Sequence, residues 1–159
     1  MKVLFVCTGN ICRSPTAEAV LRAMAMKRGL GERVFAASAG THGYHIGEAP
    51  DPRTQDAALR RGYPMTGQFA RKVSATDFGA FDFVVAMDQG HYRALKRLAP
   101  AGSAAKLRLF MDLVAEAATR DVPDPYYGGP NGFEDVLDIV EAGVTALLDE
   151  IEAALNAKS

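Results

Sequence analysis

Near the start of the chain, a thiol, a guanidinium and a hydroxyl stand close together in the sequence CTGNICRS, which covers positions 7–14. Five residues separate Cys7 from Arg13, and Ser14 follows the arginine directly. An ionised thiol is a strong nucleophile, and a guanidinium can bond two phosphate oxygens at once through its planar fork. The spacing therefore indicates a phosphate site in which Cys7 attacks and Arg13 binds.

The same stretch connects an apolar run to the start of a helix, and this placement favours anion binding. Successive backbone amides in such a turn point inward, and the helix N-terminus adds partial positive charge. Gly9 permits unusual backbone angles, and Asn10 tolerates them better than most residues. A nucleotide-binding P-loop fits poorly, because its glycine-lysine pattern is absent. The predicted phosphate-binding residues are Thr8, Gly9, Asn10, Ile11, Cys12, Arg13 and Ser14.

The loop should also set the charge state of Cys7. A free thiol is mostly protonated at neutral pH, whereas backbone amides, a helix N-terminus and Arg13 all stabilise the thiolate. Ser14 can donate a further hydrogen bond to the sulfur. A simpler interpretation makes Cys7 a buried residue at a strand end and the loop an ordinary turn. The position between an apolar strand and a helix favours the chemical interpretation.

The elements around the loop must hold these groups in place. Lys2–Cys7 is a nearly continuous apolar run, which is typical of a buried parallel strand. Further strands are predicted at 34–40, 81–87 and 106–110, and helices from Pro15 to Gly29, from Asp51 to Gly62, after Asp88 and from near Phe133. This alternating order predicts an α/β fold of three α/β/α layers, in which helices flank a four-stranded parallel twisted sheet. Ligands bind such sheets at the carboxyl ends of the strands, where CTGNICRS lies.

Composition limits the class of protein. The 159 residues suit a single domain over 1–159, and the net charge of -1 argues against general nucleic-acid binding. Two cysteines do not make a disulfide framework, so we expect a reducing compartment and a cytoplasmic protein. We expect neither a secretory signal peptide nor a membrane span, because no apolar run is long enough.

These residues resemble the low-molecular-weight protein-tyrosine phosphatases. The match is carried by VLFVCTGNICRSPTAEAVLR, SAGTHGY, FARKVSATDF, FDFVVAMD and DPYYGG, which occur in this order and cover nearly the whole chain. The resemblance implies Cys7 as nucleophile, Arg13 as phosphate clamp and Asp124 as general acid and base. It implies a tyrosine-phosphorylated protein as substrate and inorganic phosphate or vanadate as competitive ligand. Neither a metal nor an organic cofactor is implied.

The chemistry of aryl phosphates explains why an acid is needed. Phenolate is a poor leaving group at neutral pH, and a carboxylic acid within hydrogen-bond reach can protonate it as the P–O bond breaks. Asp124 precedes a proline and can also be read as a turn residue, and Asp121 is its rival in the same loop. The resemblance of DPYY to the family motif favours Asp124.

Aromatic side chains near the loops predict a slot for a phenol ring. The resemblance places Ile11, Tyr44, Tyr126 and Tyr127 in the substrate pocket, where aromatic faces can stack on the substrate. For Tyr127, ordinary packing is an equally good interpretation. Relatives that act on phosphoarginine carry a threonine at the position of Ile11, so the isoleucine favours an aryl substrate.

Several supporting roles are also implied or expected. In the family, the position of Cys12 forms a reversible disulfide with the nucleophile, which would make Cys7 redox-sensitive. We expect Asn10, Ser14 and Ser38 to form a hydrogen-bond network that fixes the loop. The family histidine that supports the loop asparagine is absent, and Gln68 is a candidate substitute.

The other histidines and one aspartate are expected to have no such role. His42, His45 and His91 show no metal-ligand spacing and are predicted to lie on the surface, while Asp88 is predicted to be only a helix cap. Two alternatives to a tyrosine phosphatase stay open at this point. One is a phosphoarginine phosphatase of the same family, and the other is a phosphate-recognition module without catalysis.

Overall fold

The computed structural model describes residues 1–103, 106–117, 119–127, 129 and 131–157, with the side chain of Tyr127 excepted. Its strands are β1 (Lys2–Cys7), β2 (Phe35–Gly40), β3 (Phe83–Ala86) and β4 (Leu107–Leu109). Its α-helices are α1 (Arg13–Lys27), α2 (Pro52–Arg60), α3 (Asp77–Ala80), α4 (Gln89–Leu98) and α5 (Gly132–Ala157). Short 3-10 helices cover Phe110–Leu113 and Pro125–Tyr127. Within these described residues, no helix is long and apolar enough to span a membrane.

The four strands form one parallel sheet in the order β2-β1-β3-β4. The first strand is therefore central, and the chain leaves it toward β2 on one side and returns to β3 on the other. Val6 in β1 pairs with Ala39 in β2 and with Ala86 in β3. Strand order reverses at β1, and a crevice opens at the carboxyl end of the sheet at such a reversal. Cys7, the last residue of β1, stands at this point.

Alternating side chains of β1 explain the two outer layers, because successive residues of a strand point to opposite faces. Val3 and Phe5 pack in one apolar cluster with residues of α1 and α5, and Leu4 and Val6 pack in a second cluster with Phe78 of α3 and Leu95 of α4. Helices therefore cover both faces of the sheet, and the predicted three-layer α/β/α architecture is confirmed.

The last helix packs one apolar stripe into the core. Its fully buried members are Val136, Leu137, Val140, Val144, Leu147, Leu148 and Ile151. Gly143 lies within this stripe, where a Cβ atom would overlap the ring of Phe110. The stripe therefore includes one position at which the absence of a side chain, rather than an apolar side chain, permits packing.

The observed elements differ from the sequence prediction in three ways. The strands at 81–87 and 106–110 are shorter than predicted, because residues at their ends enter turns or a 3-10 helix. The segment 111–131 was expected to lack regular structure, yet Pro125–Tyr127 forms a 3-10 turn. Proline fixes a φ angle that suits the start of a helical turn, which explains this local order. The short helix α3, missed by the prediction, is held by the Asp77 carboxylate, which accepts from the Ser74 amide at 2.8 Å.

Candidate active site

The loop after β1 is held against the end of β2. The Thr41 amide donates to the Cys7 carbonyl at 2.8 Å, and the His42 amide donates to the Thr8 carbonyl at 3.0 Å. A Cβ atom on Gly40 would lie 2.7 Å from that Thr8 oxygen, so the close approach requires glycine there. The two residues that follow β2 thereby hold the carbonyl groups of Cys7 and Thr8.

Of the two loop residues expected to allow unusual backbone angles, Asn10 has a positive φ of 60°, whereas Gly9 does not have a positive φ. Asparagine is among the few residues that enter this left-handed region at modest cost. At position 9 a Cβ atom would lie 2.9 Å from the Cδ2 atom of His45, so any side chain there would require the imidazole to move. The loop therefore turns at Asn10 and is covered by a histidine at Gly9.

A chain of hydrogen bonds leads from a neighbouring loop to the thiol. The Arg71 amide donates to Asn10 Oδ1 at 3.0 Å, Asn10 Nδ2 donates to Ser14 Oγ at 2.9 Å, and Ser14 Oγ lies 2.9 Å from Cys7 Sγ. Ser14 Oγ accepts from Asn10, and its single proton can be given to the Cys7 sulfur or to the Ala39 carbonyl, which lies 3.4 Å away. The sulfur is the nearer of these two acceptors.

Two residues that we expected in this network lie elsewhere. Ser38 donates to Glu18 Oε1 at 2.7 Å, so the expectation that it joins Asn10 and Ser14 is wrong. Gln68 donates to the Pro15 carbonyl at 3.4 Å and does not replace the missing histidine. We expected a side chain to support Asn10, but the Arg71 backbone amide supports it instead. A sequence pattern does not show which backbone amide will bond a given side chain.

The loop amides and the first helix form the wall of an anion site. Within the described part of the chain, the backbone N–H groups of residues 9–12 donate to no protein acceptor. Arg13 and Ser14, the first two residues of α1, are buried. Free amides beside a helix N-terminus are suited to bind the oxygens of a phosphate.

Arg13 is anchored on three sides of the site. Its Nη1 atom donates to Asp88 Oδ2 at 2.8 Å and to the Val122 carbonyl at 3.1 Å, and its Nη2 atom donates to Thr8 Oγ1 at 3.3 Å. Only 4% of the residue is exposed. Since these contacts come from three loops, the guanidinium has little freedom to leave the site.

Asp88 does more than the sequence prediction assigned to it. Its Oδ1 atom accepts from the His91 amide at 2.8 Å, which is the expected cap of α4, while its Oδ2 atom pairs with Arg13. Burial acts to raise the pKa of Asp88, but the His91 amide and Arg13 outweigh it and hold that pKa below its usual value. The sequence could have indicated that Asp88 lies at the site, because Asp88 follows β3 at the same sheet edge as the Cys7 loop.

The structure distinguishes the two aspartates of the 121–124 loop. Asp124 Oδ2 lies 3.6 Å from Arg13 Nη2, and Asp124 Oδ1 accepts from the Tyr126 amide at 3.0 Å. Asp121 Oδ1 instead accepts from the Gln89 amide at 2.8 Å, at the start of α4. Asp124 therefore faces the site, whereas Asp121 anchors the loop to a helix.

One cavity of about 340 Å³ brings the predicted groups together. Its lining residues are Cys7, Thr8, Gly9, Ile11, Cys12, Arg13, Tyr44, His45, Asp124 and Tyr126. Tyr44 is mostly exposed and stacks on His42, with ring centroids 4.9 Å apart. The Arg53 guanidinium lies 5.3 Å from the ring centroid of Tyr126. The side chain of Tyr127 lies outside the described residues.

Two histidines predicted to lie on the surface belong to the site. His45 lines the cavity, and His91 is buried with its Nε2 atom 2.7 Å from Thr8 Oγ1. Burial, followed by the charge of Arg13, lowers the pKa of His91 to about 4, so the ring is neutral near pH 7. The prediction of a surface position is therefore wrong for His91, whereas His45 keeps 31% of its side chain exposed at the mouth of the cavity.

The second cysteine differs from the first in its surroundings. Cys7 and Cys12 are both free thiols and both buried. Burial raises the pKa of Cys12 to about 12, so this residue is a thiol at neutral pH. Cys7, in contrast, has the Ser14 hydroxyl oxygen 2.9 Å from its sulfur.

Comparisons with known proteins agree with this geometry. Residues 2–158 match the sequence profile of the low molecular weight phosphotyrosine protein phosphatases. A low molecular weight protein-tyrosine-phosphatase of Streptomyces coelicolor is 49% identical over 161 residues, which span 99% of this chain and 98% of that protein.

Solved structures are similar over almost the whole chain. A protein tyrosine phosphatase from Entamoeba histolytica, crystallised with Hepes in its active site, has a TM-score of 0.93 and 40% identity, and the match covers 97% of this chain and 98% of that chain. A Drosophila arginine phosphatase has a TM-score of 0.88 and 32% identity, with 95% and 98% covered. The fold is thus common to relatives whose described substrates differ.

Proposed function

Because this chain belongs to the low molecular weight phosphotyrosine protein phosphatase family, we propose that it hydrolyses phosphotyrosine in proteins, and small aryl phosphates, through a phosphocysteine intermediate. The observation that carries the proposal is the convergence of Cys7, Arg13 and Asp124 on one cavity. A nucleophile, a phosphate clamp and a proton donor are the groups that this reaction requires. Inorganic phosphate and vanadate would compete for the same loop.

In the first step, the Cys7 thiolate attacks phosphorus and an S–P bond forms while the P–O bond to the aryl group breaks. Asp124 gives its proton to the leaving oxygen, so a neutral phenol departs. The amides of residues 9–12 and the Arg13 guanidinium stabilise the equatorial oxygens as charge redistributes. Asp124 is then a carboxylate.

In the second step, water attacks the phosphocysteine. Asp124 takes a proton from the water, the S–P bond breaks, and inorganic phosphate leaves with the Cys7 thiolate restored. Each proton given in the first step is recovered in the second. The two steps balance without a metal ion or a redox cofactor, because the Asp124 carboxyl group acts first as an acid and then as a base.

Substrate shape follows from the cavity walls. Ile11 presents an apolar side chain beside the loop, and Tyr44 and Tyr126 offer aromatic faces near the opening. Such contacts stabilise a bound phenol ring. An apolar neighbour stabilises the charged guanidinium of phosphoarginine less. We therefore assign Tyr44 and Tyr126 to the walls of the substrate slot and propose the same role for Tyr127.

A second candidate substrate is phosphoarginine, because a Drosophila relative is described as an arginine phosphatase. Ile11 is the feature that opposes it. Phosphotyrosine and phosphoarginine peptides of one sequence should be compared with wild type and Ile11→Thr. Wild type should prefer phosphotyrosine, and the variant should move the ratio toward phosphoarginine. A wild-type preference for phosphoarginine would replace the proposed substrate with this one.

Hydrolysis of a generic aryl phosphate is the direct test of the proposed activity. Wild type should release phenol and phosphate, and Cys7→Ser should release neither, while inorganic phosphate still binds to the variant. A phosphate-recognition module without catalysis would bind phosphate in both forms and hydrolyse nothing. Hydrolysis retained by Cys7→Ser would remove the cysteine from the reaction.

Oxidation is the proposed regulation of this site. Cys7 and Cys12 are thiols within one loop, and a disulfide between them would protect the nucleophile from overoxidation. Free thiols also suit a reducing compartment, which supports a cytoplasmic location. Mild peroxide followed by mass spectrometry should give an internal disulfide. A sulfinic acid on Cys7 without that disulfide would contradict the redox role of Cys12.

A further inference from the structure

Four side chains form a closed ring behind the phosphate loop. Arg13 donates to Asp88 Oδ2 at 2.8 Å and to Thr8 Oγ1 at 3.3 Å, and Thr8 Oγ1 lies 2.7 Å from His91 Nε2. The ring closes at His91 Nδ1, which lies 3.1 Å from Asp88 Oδ1. The members come from the β1 loop, the start of α1 and the start of α4, so the ring joins three elements around one guanidinium.

The direction of each hydrogen bond follows from what the groups can donate. Arg13 has only donors, so Thr8 Oγ1 accepts from it and retains its own proton to give. The ring of His91 is neutral near pH 7, because burial and the Arg13 charge lower its pKa to about 4. Thr8 can therefore donate to an unprotonated Nε2 atom.

The other ring nitrogen of His91 supports this tautomer. Among the described residues, His91 Nδ1 is buried and has no hydrogen-bond partner of acceptable geometry, although a carboxylate oxygen of Asp88 is 3.1 Å away. A proton on Nδ1 is attracted by that oxygen, whereas a lone pair on Nδ1 would be repelled by it. The surroundings thus favour the proton on Nδ1 and leave Nε2 as an acceptor.

We propose that His91 is a positioning residue for the phosphate clamp. Its Nε2 atom accepts a hydrogen bond from the Thr8 hydroxyl, so that the lone pairs of the Thr8 oxygen face the Arg13 guanidinium. The inference deepens the proposed function and rests on it, because Arg13 is the group that holds phosphate there. His91 touches neither substrate nor the reacting atoms, and it acts through Thr8. Asp88 holds the opposite edge of the guanidinium.

A purely structural role for His91 makes a different prediction. A buried ring that only fills space would affect the stability of α4 and leave the orientation of Arg13 unchanged. A ring that orients Thr8 must instead affect how tightly an oxyanion binds. The two roles are separated by kinetics and anion affinity, measured beside the melting temperature.

The test uses the full chain, four single variants and the double variant of His91→Leu with Thr8→Val. His91→Leu removes the acceptor, Thr8→Val removes the hydroxyl, and His91→Gln restores an acceptor near the Nε2 position. Leu95→Val is the matched control, since Leu95 is buried on the same helix in an apolar cluster. The readouts are kcat/KM for p-nitrophenyl phosphate, the inhibition constant of vanadate and the affinity for inorganic phosphate.

We expect His91→Leu and Thr8→Val each to lower kcat/KM roughly tenfold and to weaken vanadate and phosphate binding, because small displacements of a positioned group are costly. The double variant should lose little more than either single variant, since both changes break one unit. His91→Gln should recover part of the loss, and Leu95→Val should lower the melting temperature without weakening anion binding.

Anion affinities within about twofold of wild type in both His91→Leu and Thr8→Val would overturn the inference, as would fully additive losses in the double variant. If His91→Leu does not fold, His91→Gln takes its place in the double variant with Thr8→Val, because Thr8→Val alone removes the Arg13 contact whether or not His91 orients it. Failure of the proposed function has a distinct signature. Wild type would then bind phosphate but hydrolyse no aryl phosphate, and the phosphate affinities of the variants would still test the ring.

Discussion

The Ser14 hydroxyl oxygen lies 2.9 Å from the Sγ atom of Cys7, so the first turn of α1 contacts the last residue of β1 through one polar pair. Asn10 donates to the same hydroxyl at 2.9 Å. The Ser14 proton can then be donated to the sulfur, which is nearer than the Ala39 carbonyl at 3.4 Å. We therefore expect the reactivity of Cys7 to depend on a residue seven positions later in the chain.

Replacing Ser14 with alanine should slow the enzyme. A hydrogen bond to a charged group contributes about 1.5–3 kcal/mol, so the loss of this one should lower kcat roughly tenfold or more. Alkylation of Cys7 by iodoacetamide at neutral pH should slow as well, because less thiolate is present. Aryl phosphate hydrolysis and the alkylation rate are the two measurements.

Ser38→Ala is the matched control for Ser14→Ala. Ser38 is also largely buried, but its hydroxyl donates to Glu18 and not to the site. We expect its alkylation rate to equal that of wild type. Equal alkylation rates in Ser14→Ala and Ser38→Ala would show that the Ser14 hydroxyl does not stabilise the thiolate.

Asp124→Asn should remove the proton donor while keeping the shape of the loop. General acid catalysis contributes about 10²-fold to 10⁴-fold, so kcat for phosphotyrosine should fall by at least about 10²-fold. The loss should shrink for aryl phosphates with more acidic phenols, which leave without a proton. A series of substituted phenyl phosphates measures this dependence.

Asp121→Asn makes the same chemical change three residues earlier, where the carboxylate anchors the start of α4. Asp121→Asn should lower the stability of the protein modestly. Its kcat should depend on the acidity of the leaving phenol in the same way as the kcat of wild type. An unchanged kcat in Asp124→Asn, or a larger loss in Asp121→Asn, would transfer the acid role away from Asp124.

Some of the site follows from local sequence patterns. The strand at Lys2–Cys7, the helix after it and the polar loop between them are each visible as a run of residue types, and their geometry brings Cys7 and Arg13 together. The alternating order of strands and helices then determines which edge of the sheet carries the site. These features depend on neighbours in sequence.

Other parts depend on contacts between distant residues and were not predicted. His91 resembles any histidine on an exposed helix start, yet its ring lies against Thr8, which is 83 positions away. The Arg71 backbone amide supports Asn10. Because every residue except proline has such an amide, the residue type at position 71 does not indicate this role. Such pairs become visible only when the loops are packed together.

Gly143→Ala should destabilise the protein although alanine is the better helix former. Alanine normally gains about 1 kcal/mol over glycine inside a helix. At Gly143 the added methyl group would overlap the Phe110 ring, and overpacking of this kind costs about 1–3 kcal/mol. Urea unfolding should therefore show a net loss of stability.

Gly79→Ala provides the comparison, because a Cβ atom on Gly79 in α3 meets no atom within 4 Å. This variant should be as stable as wild type or slightly more stable. A stability gain in Gly143→Ala similar to that in Gly79→Ala would mean that α5 does not pack tightly on Phe110.

Mild acid should destabilise the protein through His91. Burial and the Arg13 charge lower its pKa from 6.5 to about 4, so across this window the unfolded chain binds the proton and the native protein does not. Stability is full above pH 6.5 and falls as the pH drops toward 4, by a contribution of about 3 kcal/mol. Urea unfolding midpoints across this pH range measure the effect.

His91→Leu isolates this contribution, because leucine cannot titrate. Its stability should fall less than that of wild type between neutral pH and about pH 5. Asp88 does not interfere in this window, since its pKa is already held below the usual value and its contribution is lost only in stronger acid. Parallel pH profiles for the two proteins would contradict the assignment of a buried, neutral His91.

The most direct test of the account is detection of phosphate on the Cys7 sulfur during turnover. Wild type mixed with p-nitrophenyl phosphate, quenched rapidly in acid and mapped by peptide mass spectrometry, should carry one phosphoryl group on the peptide that contains Cys7. Cys7→Ser treated in the same way should carry none and should release no p-nitrophenol. Turnover by wild type without a phosphoryl group on Cys7, together with turnover by Cys7→Ser, would contradict the central claim.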